Sequence, residues 1–227
     1  MSKKFLCALF SLCFLVFTVL EAVDVFCFDA NFYRKEYAAL KVAEDIQIDF
    51  EDLMEGTQVL LDYTAGKREN MVYEAVINGQ NRELFNDREK AHMIDVSALY
   101  LNSMKVKRIC LFLSVAAVII LLIRKDSFLF TLAQQFNLIS LIFLLVIGAL
   151  ALYAYSDFNA FWIRFHHVFF TKNDFWLLNP RTDMLIRMVP EQFFYDLVFR
   201  IVAGFFTVFF LSNAAALIYR KKALKHA

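Results

Sequence analysis

Residues 161–194 read FWIRFHHVFFTKNDFWLLNPRTDMLIRMVPEQFF. This stretch holds two of the four histidines, both prolines, both tryptophans and seven phenylalanines. It lies between two strongly apolar segments. Mixed aromatic and polar side chains are poor material for a plain bilayer span, where ionisable groups are costly. They suit a segment in the membrane interface, where amphipathic rings settle. Such a segment can hold polar groups over a site reached from lipid. A membrane enzyme acting on a lipid substrate is therefore the first function to weigh.

Outward from this stretch, the chain has 227 residues, 60% of them hydrophobic. A soluble domain is about 45–50% apolar, and here the excess is gathered in blocks. A helix needs roughly 20 mostly apolar residues to cross a bilayer. Spans are expected at residues 5–28, 105–123, 128–155 and 193–219. The first has a basic start at Lys3 and Lys4. Its apolar run exceeds the roughly 7–15 residues of a cleaved signal peptide, so it reads as a retained anchor.

Basic flanks set the orientation. Lys3 and Lys4, Arg124 and Lys125, and Arg220, Lys221, Lys222 and Lys225 all fall on one side if there are four spans. That side is expected to be the cytoplasm, with both termini in it. Lys105, Lys107 and Arg108 stand on the other side and are outvoted. Residues 29–104 then form an extracytoplasmic domain, and residues 156–192 an extracytoplasmic interfacial loop. The 29–104 segment holds 15 acidic and 8 basic side chains, although the whole chain is near neutral at +1. An acidic outer domain excludes a nucleic-acid function. Cys7, Cys13, Cys27 and Cys110 lie in or beside spans, so they read as packing residues and not as a disulfide framework.

Within 29–104, residues 31–46 favour a helix, and a second helix over 51–63 stops at Gly66. Val72, Tyr73, Val76 and Ile77 lead to Asn78-Gly79, a strong hairpin turn, with a return strand over 80–85. Asn86 with Glu89 three residues on resembles a capping box and starts a helix that runs from Asp87 towards span two. The expected fold is thus mainly α: a polytopic membrane protein with four transmembrane helices and a small α+β extracytoplasmic domain.

His92 and the His166-His167 pair fall on the same side of the membrane, whereas His226 lies in the cytoplasmic tail without an expected role. Adjacent histidines cannot both face one site, so one of the pair points in and the other away. A histidine pair drawn from separate segments suits general acid–base chemistry near neutral pH. It suits zinc less well, because neither HExxH nor paired CxxC is present. There is also no G-x-S-x-G nucleophile motif. Asp95, three residues after His92, can share its helix face and orient the imidazole. Trp176 reads as an interface anchor. Asn179-Pro180 starts a turn, Thr182-Asp183 begins a short helix, and Asp183 and Arg187 are spaced to pair. Pro190 and Glu191 restart the helix of span four. Glu21 and Asp24 in span one, and Asp196 and Arg200 in span four, read as helix-clamping charges or as a polar wall for a lipid headgroup. Gln134, Gln135 and Asn137 read as interhelical hydrogen-bonding groups.

The run FHHVFFTKNDFWLLNPRTDMLIRMVPEQFF, residues 165–194, resembles the signature of the bacterial lipoprotein intramolecular transacylase family. Members have four spans, an outer domain after the first, and an H-M-x-D-V element before the second. That element is His92-Met93-Ile94-Asp95-Val96 in this chain. The resemblance covers essentially the whole chain and is most specific over 157–195. The family's loop histidine follows a Phe and precedes a variable residue and then aliphatic-Phe-Phe. This places it on His166, with His167 in the variable position.

The resemblance implies transfer of the sn-2 acyl chain of a lipoprotein's diacylglyceryl-cysteine to the α-amino group of that cysteine. The implied catalytic residues are His166 as base and His92 as its partner. Arg187 or loop N–H groups aid the oxyanion, and Asp95, Trp176, Asn179 and Asp183 support or position the substrate. The expected partners are the diacylated lipoprotein N-terminus and membrane lipid. No metal, cofactor or obligate protein partner is expected. Two alternatives stay open from the residues: a non-catalytic membrane module that binds lipid or peptide, and another membrane acyltransferase or hydrolase using the same histidines.

Overall fold

The computed structural model describes residues 2–125, 127–171 and 173–225; His226 lies outside the described residues. In chain order the elements are α1 (Lys3–Cys27), α2 (Ala30–Leu40), α3 (Val42–Ile46), α4 (Phe50–Thr64), β1 (Glu74–Ile77), β2 (Gln80–Glu83), α5 (Asp87–Ile123), α6 (Leu129–Ser156), α7 (Phe158–Phe169), α8 (Met184–Met188) and α9 (Glu191–Lys225). Among them α1, α5, α6 and α9 are long and apolar enough to cross a membrane. These are the four expected spans. The second is the C-terminal half of α5, whose 37 residues would reach about 55 Å at 1.5 Å per residue. Its uninterrupted apolar stretch follows Arg108, and the turns before it carry His92 and Asp95.

One compact unit comprises residues 1–24, 104–163 and 200–227. Leu6, Cys7, Ala117, Leu121 and Phe128 form a buried cluster there. Two polar features bind its helices together. Lys107 on α5 reaches Glu21 of α1 at 2.9 Å and also Asp24. Asn137 on α6 donates to the Asn213 side chain of α9 at 3.0 Å and accepts from Arg220 at 3.1 Å. The expected interhelical role of Asn137 and the expected clamp at Glu21 and Asp24 are both realised. In apolar surroundings such groups face each other because lipid offers them no partner. All four cysteines are free thiols.

The other unit comprises residues 25–103 and 164–199. Phe193 is fully buried and is ringed by Phe32, Tyr33 and Tyr37 at centroid distances of 5.2, 5.0 and 5.4 Å. The Tyr37 hydroxyl, also fully buried, meets Thr57 at 3.0 Å, so the ring packs without stranding its polar end. The helix expected over 31–46 is broken at Lys41, which takes a left-handed conformation at φ 54°. On an uninterrupted helix of 3.6 residues per turn, Val42 and Ile46 would face away from Tyr33 and Tyr37. The break turns both inward, and both are buried.

The expected helix over 51–63 is α4, followed by Gly66 at φ 70°. The hairpin forms with Ile77 paired to Gln80, and its Asn78 and Gly79 have φ of 53° and 75°. Both turn residues are therefore left-handed, as an Asn-Gly type I′ turn requires. This two-stranded sheet stands among α2, α3 and α4, so residues 29–104 are mostly helical.

Lys107→Met should lower the thermal midpoint of the detergent-solubilised protein, with a loss on the order of 1–3 kcal/mol, because Glu21 and Asp24 lose their shared cation. Adding Glu21→Gln and Asp24→Asn should recover part of that loss. An unchanged midpoint in Lys107→Met would rule out the clamp as a source of stability.

Candidate active site

The first turn of α5 is built by a reciprocal cap. The Asn86 side chain accepts from the Glu89 N–H at 3.0 Å, and Glu89 accepts from the Asn86 N–H at 2.7 Å. This is the capping box expected from spacing, with Asn in the hydroxyl position. The structure adds a second task. Glu89 is 1% exposed, and its other oxygen accepts from the Leu185 N–H in the first turn of α8. One carboxylate thus caps two helices. Burial raises the Glu89 pKa, the N–H donors of Leu185 and Asn86 oppose that, and the neighbouring Asp183 charge adds to it.

Asp183 completes the tie. It is buried, and accepts from the Asn179 N–H at 2.7 Å, the Thr182 hydroxyl at 2.9 Å and the Asn86 amide at 3.0 Å. Burial alone would raise its pKa, but these hydrogen bonds outweigh burial and hold it below the usual carboxylate range. Asn179 also opens the expected turn, accepting from the Arg181 and Thr182 N–H groups. Asp183 therefore does not pair with Arg187, as its spacing suggested. Arg187 turns to Asp45, donating to its carbonyl at 2.7 Å and its carboxylate at 3.3 Å. That contact anchors α8 to the chain just before Ile46.

One turn beyond Glu89, His92 leaves α5 at 8% exposure. His166 leaves α7 at 6% exposure, while His167, one residue on, is exposed. The expectation that the two adjacent histidines face opposite ways is met, with His166 inward. The His92 and His166 rings lie 6.2 Å apart, centroid to centroid, with 34° between their planes. Phe170 packs on both, at 5.3 and 5.4 Å. Trp176 stacks on His166 at 4.8 Å and meets His167 edge-on at 5.2 Å. Trp176, expected at the membrane interface, is a wall of this histidine pocket.

A turn aims Trp176 back at His166. Asn173 accepts from the Phe175 N–H at 3.1 Å, and the Leu177 N–H donates to the Asp174 carbonyl at 3.0 Å. The turn is fastened to α5 twice: the Asn173 amide donates to Asp95 at 2.9 Å, and Arg88 reaches the Asp174 carboxylate at 3.4 Å. The sequence assigned no role to Asn173 or Asp174, and none to Phe170 or Glu89 beyond packing and capping. Only the hydrophilic Asn-Asp pair inside an aromatic run signalled a turn there. Asp95, expected to orient His92, holds Asn173 and acts on His92 through its charge.

Burial, the nearby His166 and, in opposition, Asp95 set the His92 pKa, which is pushed down to about 4. The imidazole is therefore neutral at pH 7. Between about 4 and 6.5 the unfolded chain binds the proton that folded His92 refuses, so stability rises with pH across that window. Acidification from pH 6.5 towards 4 should cost up to about 3 kcal/mol through this group. Denaturant titrations at several pH values should show that slope reduced in His92→Gln; an unchanged slope would assign the acid sensitivity elsewhere. Glu89→Ala should cost roughly 2–4 kcal/mol in the same titrations, since it leaves the N–H groups of Asn86 and Leu185 without acceptors.

The family model described as lipoprotein intramolecular transacylase Lit matches residues 8–194 of the chain. The crystal structure of the membrane-integral lipoprotein intramolecular transacylase Lit from Bacillus cereus is similar to it, with a TM-score of 0.79 at 18% identity, covering 99% of this chain and 98% of that one. Two structures of the same Bacillus cereus protein, each with one histidine replaced, by alanine or by arginine, give TM-scores of 0.75 and 0.68 at 18% identity. They cover 99% of this chain and 96% and 93% of theirs. At that identity the likeness speaks for the fold. No curated protein sequence matches the chain. Because the family model spans most of its length, the chain belongs to the lipoprotein intramolecular transacylase family, a family of membrane-integral enzymes.

Proposed function

We propose that this transacylase moves the sn-2 acyl chain of a diacylglyceryl-cysteine to the α-amino group of the same cysteine, using His166 and His92. The product is an N-acyl, S-monoacylglyceryl lipoprotein. The observation that carries this reading is the pair of buried imidazoles facing each other at 6.2 Å within an aromatic pocket. The substrate nitrogen attacks the ester carbonyl while His166 takes its proton. A carbon–nitrogen bond forms, the bond from the carbonyl carbon to the sn-2 oxygen breaks, and that oxygen leaves with a proton. From the neutral amine, atoms and charge balance without another reactant, the proton taken by His166 passing to the departing oxygen; a substrate that binds as an ammonium first releases one proton to water.

A neutral His92 with a pKa near 4 is a weak base but a competent N–H donor, so it suits the oxyanion and the departing oxygen. Trp176 and Phe170 fix the ring planes, and Asp95, Asn179 and Asp183 hold the segments that present them. Arg187 holds α8 in place through Asp45. Donor and acceptor belong to one molecule, so orientation can supply much of the rate.

The reading extends to topology. Residues 29–104 are a small α+β extracytoplasmic domain, residues 156–192 the extracytoplasmic active-site loop, and both termini are cytoplasmic. Lys107 belongs to the basic cluster that argued against this orientation. It is one of three such residues, and its charge is met by Glu21 and Asp24.

The test uses purified protein and a synthetic diacylated lipopeptide with no added phospholipid donor. Product and substrate are isomers, so fragment-ion mass spectrometry must ask whether an acyl group has moved to nitrogen. His166→Ala and His92→Ala should each lower turnover by about 10²–10⁴-fold, while His167→Ala retains it. Near-normal transfer in both His166→Ala and His92→Ala would sink the dyad. Failure of the unaltered protein to move the acyl group would sink the sn-2-to-nitrogen assignment.

A further inference from the structure

We propose that the Asp95 carboxylate is the receiving site for the substrate's α-ammonium group. The inference rests on the transfer reading and names how the enzyme selects a free amine. Asp95 lies three residues beyond His92 on α5, hence on the same face. It is half-buried, so its charge is neither lost in bulk water nor sealed from a ligand. The Asn173 amide donates to one of its oxygens at 2.9 Å, which fixes the carboxylate plane. A carboxylate offers about four acceptor positions, and one amide hydrogen leaves room for the three donors of an ammonium. The same Asn173 begins the turn that carries Trp176 onto His166, so the carboxylate, both imidazoles and the indole face are linked by hydrogen bonds and ring contacts in one assembly.

The chemistry of the substrate calls for such a group. An α-amino group has a pKa near 8, so the nucleophile arrives protonated at neutral pH and must be held before it is deprotonated. A carboxylate beside the dyad attracts that cation, and the aromatic faces of Trp176 and Phe170 tolerate it. A neutral His92 does not repel it. Once the nitrogen is acylated its charge is gone, and the attraction to Asp95 goes with it. The site therefore favours entry of a free amine and exit of the N-acyl product. A lipoprotein that already carries an N-acyl group is a poor ligand on the same ground.

Binding separates this from a purely architectural role for Asp95. The probes are two dialkyl-ether lipopeptides, which have no ester to transfer, one with a free amine and one N-acetylated. Their affinities are measured by calorimetry on the nanodisc-embedded protein. The unaltered protein should prefer the free amine by about tenfold or more, the scale of a charge-assisted hydrogen bond. Asp95→Asn should abolish the preference while affinity for the N-acetyl probe stays unchanged, and Asp95→Glu should keep part of it. Equal affinities in the unaltered protein, or a preference that survives Asp95→Asn, would overturn the proposal. So would an equal loss of both probes in Asp95→Asn, which marks a structural role. Acyl transfer by the unaltered protein on the ester substrate, measured alongside, shows whether the broader reading stands when this one falls.

Discussion

A carboxylate taken out of water must be met by donors, and at Glu89 the donors come from two distant parts of the chain. The Asn86 N–H belongs to the start of α5, and the Leu185 N–H belongs to α8, 96 residues away in sequence. Helix starts leave N–H groups without intrahelical partners. The two deficits meet a single buried charge that would otherwise be several kcal/mol too costly to hide. Asp183 and Asn86 repeat the arrangement one step out. Between these buried acids, the segment after α7 is tied to the helix that carries His92, and the order of the histidine pocket follows from that tie.

The described residues from Phe170 to Asp183 have little regular structure of their own, yet four of their polar side chains find partners. Asn173 meets Asp95, Asp174 meets Arg88, Asn179 caps its own turn, and Asp183 closes the end. Each contact fixes a backbone position near Trp176, and the indole in turn covers His166. Aromatic residues in this run therefore act as walls whose position is set by small polar residues between them. Walls built this way keep both imidazoles out of bulk water. They also account for the uncharged state of His92, since exclusion of water is the largest influence on its pKa.

Local chemistry was legible in the sequence, and distant pairing was not. The Asn78-Gly79 turn, the Asn86 and Glu89 cap and the opposed directions of His166 and His167 each depend on residues a few positions apart. Four apolar blocks were enough to place the spans. The break at Lys41 was hidden because the residues on both sides favour helix; only the need to bury Val42 and Ile46 opposes continuity. Arg187 had a partner at helical spacing in Asp183 and still pairs with Asp45, 142 residues away, while Asp183 is held by three other donors. Trp176 carried the composition of a membrane anchor, and its place beside His166 depends on Asn173 reaching a helix 78 residues earlier.

The two charged assemblies of the chain illustrate opposite uses of one constraint. In the membrane-crossing helices, Lys107 takes Glu21 and Asp24 as partners, so a cation and two anions neutralise most of one another where water is scarce. At the histidine site the buried acids Glu89 and Asp183 accept from backbone N–H groups and from the neutral side chains of Thr182 and Asn86, and the Arg88 charge adds to the hold on Asp183. Neutral donors carry these hydrogen bonds, while the guanidinium of Arg88 is paired with Asp174. Satisfying the acids largely with dipoles limits the uncompensated charge around the two imidazoles, whose burial is what keeps His92 uncharged.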